Sequence, residues 1–131
     1  MANSTSANLK LTVQATGENS GTWGQITNTN LLILEQAIGG FTTFNITNAA
    51  RSLTFTNGAL SNGKNEVIKL TGTLASNLTV SIPNSLEKTY LVEDACNHAG
   101  NTLTFKTASG TGVLLCEGNN YTLYSDGTNV V

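Results

Sequence analysis

Charged side chains make up only 11% of this 131-residue chain, against roughly 25% in ordinary soluble domains. Six Lys and Arg stand against eight Asp and Glu, a formal charge of -2. The cations are scattered singly, so no extended positive field exists to capture a nucleic-acid backbone. No apolar run approaches the ~20 residues of a membrane span, and no membrane insertion is expected. The opening, MANSTSANLKLTVQATGENSG, lacks both the basic start and the continuous apolar stretch of a secretory signal. The chain is therefore expected to be made and kept soluble. Histidine occurs once and cysteine twice, which leaves little from which to build a reaction centre. Without an export signal, Cys96 and Cys116 are expected as free thiols. The Asn-x-Thr patterns at Asn3, Asn45, Asn77 and Asn120 follow from a composition rich in Asn and Thr and carry no message without secretion. The one proline, Pro83, ends the run LTVSIP, where a missing N–H stops a strand rather than breaking one.

Hydroxyls, amides and short apolar runs stand where the charges are missing. A chain of this length has room for one domain and a short appendage. Residues 1 to 20 are small and polar, with one alternating run, LKLTVQA, that puts Leu9, Leu11 and Val13 on one face of an extended arm. Beyond Gly40 a period of two takes over: Phe44 and Ile46, Leu53 and Phe55, Ile68 and Leu70, then Leu78, Val80 and Ile82. Leu91, Leu103 and Phe105, Val113 and Leu115, Tyr121 and Leu123 continue it. These are short strands. Turn chemistry separates them in TNGAL, SNGKN, ASGTG, EGNN and SDGTN, the residues of hairpins. No clear internal repeat is present. The pattern predicts a mainly β fold, an antiparallel β-sandwich of jelly-roll type over residues 41–131, preceded by an arm and one helix in residues 1–40.

That helix lies in GTWGQITNTNLLILEQAIGG, Gly21 to Gly40. Thr22 and Gln25 have the spacing of a capping box, and Gly39 and Gly40 supply a left-handed stop, so the helix is expected over Trp23 to Ile38. At ~100° per residue, Trp23, Ile26, Leu31, Ile33, Leu34, Ala37 and Ile38 fall within roughly 160°, with Leu32 on the far side. Such an arc is wider than one neighbouring sheet covers, and Thr27 and Asn30 lie within it. Two arrangements answer this. Either helices from several copies meet and Asn30 bonds to its symmetry mates, fixing register and copy number, or the helix starts near Asn28 and Asn30 sits in a frayed first turn. Thr27, Asn28, Thr29 and Asn30 are poor helix formers, so the helix needs to bury its stripe. Trp23, Ile26, Asn30, Leu31, Ile33, Leu34 and Ile38 are accordingly the candidate interface residues.

Chemistry is hard to find. EDACNHAGN gathers Glu93, Asp94, Cys96 and His98, but Cys-x-His without a second ligand pair matches no tetrahedral zinc spacing, and a Cys96–His98 nucleophile has no positioned third group. A loop after the strand KTYLV is the favoured reading. The Gly-rich pieces precede no helix and cradle no phosphate. Tyr121, Tyr124 and Asp126 have the aromatic-plus-acid character of a sugar-binding surface, although Tyr121 and Leu123 alternate as core residues do. No catalytic residue, metal or cofactor is assigned.

TGENSGTWGQITNTNLLILEQAI resembles the N-terminal segment of tail-fibre and other virion structural proteins of tailed bacteriophages. LTGTLASNLTVSIPNSLEKTYLVEDAC, NTLTFKTASGTGVLL and YSDGTNVV resemble the β domain that follows it there. The resemblance covers most of the chain, and the order of its segments makes it more specific than the Trp-Gly pair alone. It implies a virion protein without a catalytic residue, made in the host cytoplasm, usually homotrimeric and in contact with other virion proteins; a host surface glycan is a further candidate partner, at Tyr121, Tyr124 and Asp126. It also implies that Gly21, Thr22, Trp23, Gly24 and Asn30 shape the attachment or assembly end. Because such fibres are commonly longer, a short tail fibre or fibre adaptor is expected, with a capsid decoration or head-fibre protein and a carbohydrate-binding module as alternatives.

Overall fold

A computed structural model describes residues 2–131; Met1 lies outside the described residues. A two-stranded hairpin, β1 (Ser4–Thr5) and β2 (Thr12–Val13), leads into α1 (Trp23–Gly39) and then β3 (Phe41–Asn45) and β4 (Arg51–Ser52). After a 3-10 turn at Asn62–Lys64 come β5 (Val67–Thr71), β6 (Leu78–Ile82), β7 (Glu87–Asp94), β8 (Leu103–Thr107), β9 (Gly112–Leu115) and β10 (Asn120–Asp126). The protein is mainly β with one helix. Its two four-stranded sheets have the orders β10-β7-β5-β3 and β4-β6-β8-β9.

The expectation of an antiparallel jelly-roll is corrected by the pairing. Within the two four-stranded sheets β3 with β5, β5 with β7, β4 with β6 and β6 with β8 are parallel, and β7 with β10 and β8 with β9 are antiparallel. From β3 to β8 the chain alternates sheets at every strand, so each strand lies beside the one two positions earlier and the path is a stack of coils. Phe41 stands beside Val67 and Val67 beside Leu91, steps of 26 and 24 residues. Arg51 stands beside Val80 and Val80 beside Phe105, steps of 29 and 25. One corner stacks as well: Ala75 N donates to Thr47 O and Leu74 N to Asn97 O. At that corner Gly72 has φ +110°, and a Cβ there would run into Ile46 O. Turn-rich TNGAL and SNGKN therefore connect sheet to sheet instead of forming hairpins, while ASGTG does join the antiparallel pair β8 and β9.

Inward residues of both sheets form one core, including Phe44, Ile68, Leu70, Val80, Tyr90, Val92, Leu103, Phe105 and Leu123. The Tyr90 and Phe105 rings meet edge to face at 5.6 Å. Tyr90 Oη donates to Gly63 O at 2.6 Å, and the buried Lys64 Nζ donates to Thr56 O and Ala59 O at 2.5 and 2.6 Å. The Tyr90 bond ties the long connection between β4 and β5 to the first sheet, and the Lys64 bonds close that connection on itself and satisfy a cation that burial would otherwise penalise.

The helix differs from expectation at both ends. Thr22 makes no side-chain cap; its Oγ1 donates to Asn19 O instead. Gly40 is extended (φ -75°, ψ 146°) rather than left-handed, and its N–H donates to Gln36 O as the chain runs straight into β3. Glycine is needed at 40 for closeness: a Cβ would strike Gln36 O and Asn65 Oδ1. The arm also departs from a simple strand. Lys10 has φ +56°, which breaks the alternation of Leu9, Leu11 and Val13, leaving the first two partly buried and Val13 exposed.

Candidate functional site

Ile33 is the one residue of α1 that is fully buried. Ile26 and Ala37 are partly buried. The other apolar side chains of the helix face outward: Trp23 is 63% exposed, Leu31 58% and Ile38 79%, with Leu32 and Leu34 also exposed. Leu31, Leu34 and Ile38 follow one another at intervals of 3 and 4 residues, the spacing of a coiled-coil seam. Phe41, three residues beyond Ile38 at the start of β3, is 58% exposed.

Asn30 has its partners within the chain. Its Oδ1 accepts from Thr12 N and its Nδ2 donates to Thr12 O, both at 2.9 Å. The side-chain amide thus acts as a one-residue β-bridge to the arm. Gln14 Nε2 donates to Thr27 Oγ1 at 3.0 Å, and Asn19 Nδ2 to Gln14 Oε1 and Asn3 Oδ1. The two polar residues that make the apolar arc costly are those that hold the arm. The arm reaches the sheets too: Glu87 N donates to Asn8 Oδ1 and Gly58 N to Lys10 O. A cleft of about 370 Å³ lies at the helix C-terminus, lined by Leu32, Glu35, Gln36, Phe41 and Leu60 among others, and Gln36 Oε1 is buried there without a hydrogen-bond partner among the described residues.

The acid and histidine group is assembled differently. His98 Nε2 and Asp94 Oδ2 are 2.6 Å apart and both residues are buried. Asp94 Oδ1 accepts from Cys96 N, and Glu117 Oε2 from His98 N. Glu93 points the other way, 3.8 Å from Lys69. Burial, reinforced by the Asp94 carboxylate and then Glu117, pushes the Cys96 thiol up to about 12, so the sulfur keeps its proton and is a poor nucleophile. Among the described residues no cluster of His, Cys, Asp and Glu is arranged to hold a metal. The group closes a corner between β7 and β8.

Tyr121, Tyr124 and Asp126 are not brought together. Tyr121 points inward against the core, and its Oη accepts from Cys116 N at 2.7 Å. Tyr124 and Asp126 lie on the opposite, outer face of β10. The Asp126 carboxylate accepts from Asn129 N and Thr128 N, and those bonds, Asn129 first, hold it below its ordinary range.

What sequence reasoning missed is the outer face of the first sheet. The register sets Phe41, Val67, Leu91 and Thr122 side by side in one row across its four strands. The signal was in the text as apolar residues at the outward positions of three strands. No protein-family model, curated protein or solved structure matches this chain.

Proposed function

We propose that this chain is a non-enzymatic structural protein of a tailed-phage virion, a short tail fibre or fibre adaptor, that assembles as a homotrimer through α1. One observation carries the reading: a helix of 17 residues buries a single side chain and leaves Trp23, Leu31, Leu34 and Ile38 outside. A solitary domain gains nothing from such a stripe, whereas helices from three copies remove it from water with knobs-into-holes packing. The resemblance of the Thr16–Ile38 segment and of the closing YSDGTNVV to phage fibre proteins supports the setting. The arm clamp on Asn30 fits this arrangement, because it fixes the helix to its own domain and leaves the seam free for neighbours.

Sedimentation equilibrium of the full chain tests the assembly. A species near three times 13.7 kDa is expected, and Trp23→Ala or Ile38→Lys, each at an exposed position, should weaken association while the sheet spectrum persists. A wild-type chain that stays monomeric at high concentration overturns self-assembly.

A further inference from the structure

We infer that the outward row Phe41–Val67–Leu91 of the first sheet is a contact surface for a second copy of this chain, continuing the helix seam onto the β domain. The inference rests on the self-association reading above and specifies where the copies touch. Adjacent strands lie ~4.8 Å apart, so these three residues form a ridge of roughly 10 Å, which Thr122 on β10 extends, with Tyr124 one step to its side, beside Thr89. Ile38 and Phe41 join the two stripes across Gly39 and Gly40.

The two outer faces contrast. Where the first sheet shows Phe, Val and Leu, the second pairs Thr79 with Thr104 and Ser52 with Ser81, the last two hydroxyls 2.9 Å apart. Its exposed apolar residue, Leu114, is on the edge strand β9. A face meant only for water resembles the second sheet. The area is also suitable. Trp23, Phe41 and Tyr124 at about half exposure contribute ~300 Å², and the aliphatic residues Leu31, Leu34, Ile38 and Leu91 add ~200 Å². The sum, ~500 Å², is the apolar share of one partner's ~800 Å² in a standard interface. Electrostatics favour like meeting like. The next row holds one cation and one anion, Lys69 and Glu93, already paired, and a chain charge of -2 sets up little repulsion between copies.

Leu91→Lys and Thr122→Lys place a charge in the row; Thr122 is exposed, so its replacement removes no core packing and stays informative if Leu91→Lys fails to fold. Leu114→Lys on the opposite sheet is the control. Sedimentation equilibrium with circular dichroism of the full chains should show association weakened at least ~30-fold by both row variants and changed less than ~3-fold by the control. Wild-type association in the folded Thr122→Lys chain, or equal weakening by Leu114→Lys, overturns the inference. If Ile38→Lys still dissociates the protein in that case, assembly through the helix survives without the sheet contact; a monomeric wild type removes both.

Discussion

Val80, Tyr90 and Phe105 sit between two sheets with no exposure at all, whereas α1 hides Ile33, half-buries Ile26 and Ala37, and leaves Trp23, Leu31, Leu32, Leu34 and Ile38 to solvent. The β domain is held by side-chain burial. The arm and helix are held to each other largely by directed bonds, an Asn amide on Thr12 and a Gln on a Thr, and the arm reaches the β domain through Asn8 and Lys10. Burial is strong and unspecific, while a neutral hydrogen bond nets only about 1 kcal/mol but fixes orientation. One region is held by burial, and the other is oriented by directed bonds while most of its apolar side chains stay exposed.

The largest effect that would break this contrast comes from the core. Phe105→Ala should cost about 3–5 kcal/mol in denaturant unfolding of the full chain, while Leu31→Ala under dilute conditions should change monomer stability by less than ~0.5 kcal/mol. Comparable losses would mean that the helix belongs to the core after all. Next, Asn30→Ala removes both bonds to Thr12 and should cost about 1–3 kcal/mol. Hydrogen exchange should locate the loss at the Thr12 amide and leave β7 protected; unchanged protection at Thr12 would show that the arm docks by other means.

How far the sequence anticipates this division depends on what each pattern encodes. Alternation reveals which residues of a strand face inward, and Leu78, Val80 and Ile82 or Leu103 and Phe105 are where it puts them. It is silent on strand direction, since parallel and antiparallel ladders share the same period of two. Gly and Asn mark reversals of the chain but do not distinguish a hairpin from a corner, so Asn57-Gly58 and Asn62-Gly63 read as hairpins. The coil steps of 26, 24, 29 and 25 residues vary too much to register as a repeat. At the helix, an arc too wide for one sheet was readable, and Trp23, Leu31, Leu34 and Ile38 are exposed. The partner of Asn30 was not, because the arm that meets it lies 18 residues away and turns at Lys10 against expectation. Tyr121 and Tyr124 differ in parity along β10, and parity alone separates their faces.

Smaller effects sharpen the contrast within the β domain. Cys96 is buried with its thiol pushed up to about 12, from an ordinary 9.0, whereas Cys116 is exposed. Alkylation at pH 8 should label Cys116 alone in the folded chain. Above pH 9 the unfolded chain releases the Cys96 proton while the folded chain retains it, so this group makes stability fall between about pH 9 and 12. Equal labelling rates for the two thiols would place the Asp94 corner among the mobile parts. The smallest effect concerns the end of the chain. Asp126 has its pKa depressed by the Asn129 and Thr128 amides, so its contribution is present above the ordinary carboxylate range and lost as pH falls through the folded value. Amide shifts of Val130 and Val131, which pair with β10 beside Asp126, should move with that titration; constant shifts would leave the tail held by its backbone pairs alone.

The parallel register also sets a tempo. Every coil of this stack closes a loop of 24 to 29 residues before its first ladder bond forms, and such non-local pairing places folding in the slow regime, ~milliseconds to seconds. Among strands that pair within the two four-stranded sheets, the short connection is at the far end, where β8 turns directly into β9. If nucleation starts there and coils add backwards toward β3, α1 and the arm come into place last. On the self-assembly proposed above, the seam of Trp23, Leu31, Leu34 and Ile38 would then be presented only by chains whose β domain is already complete, and unfinished copies would be screened out.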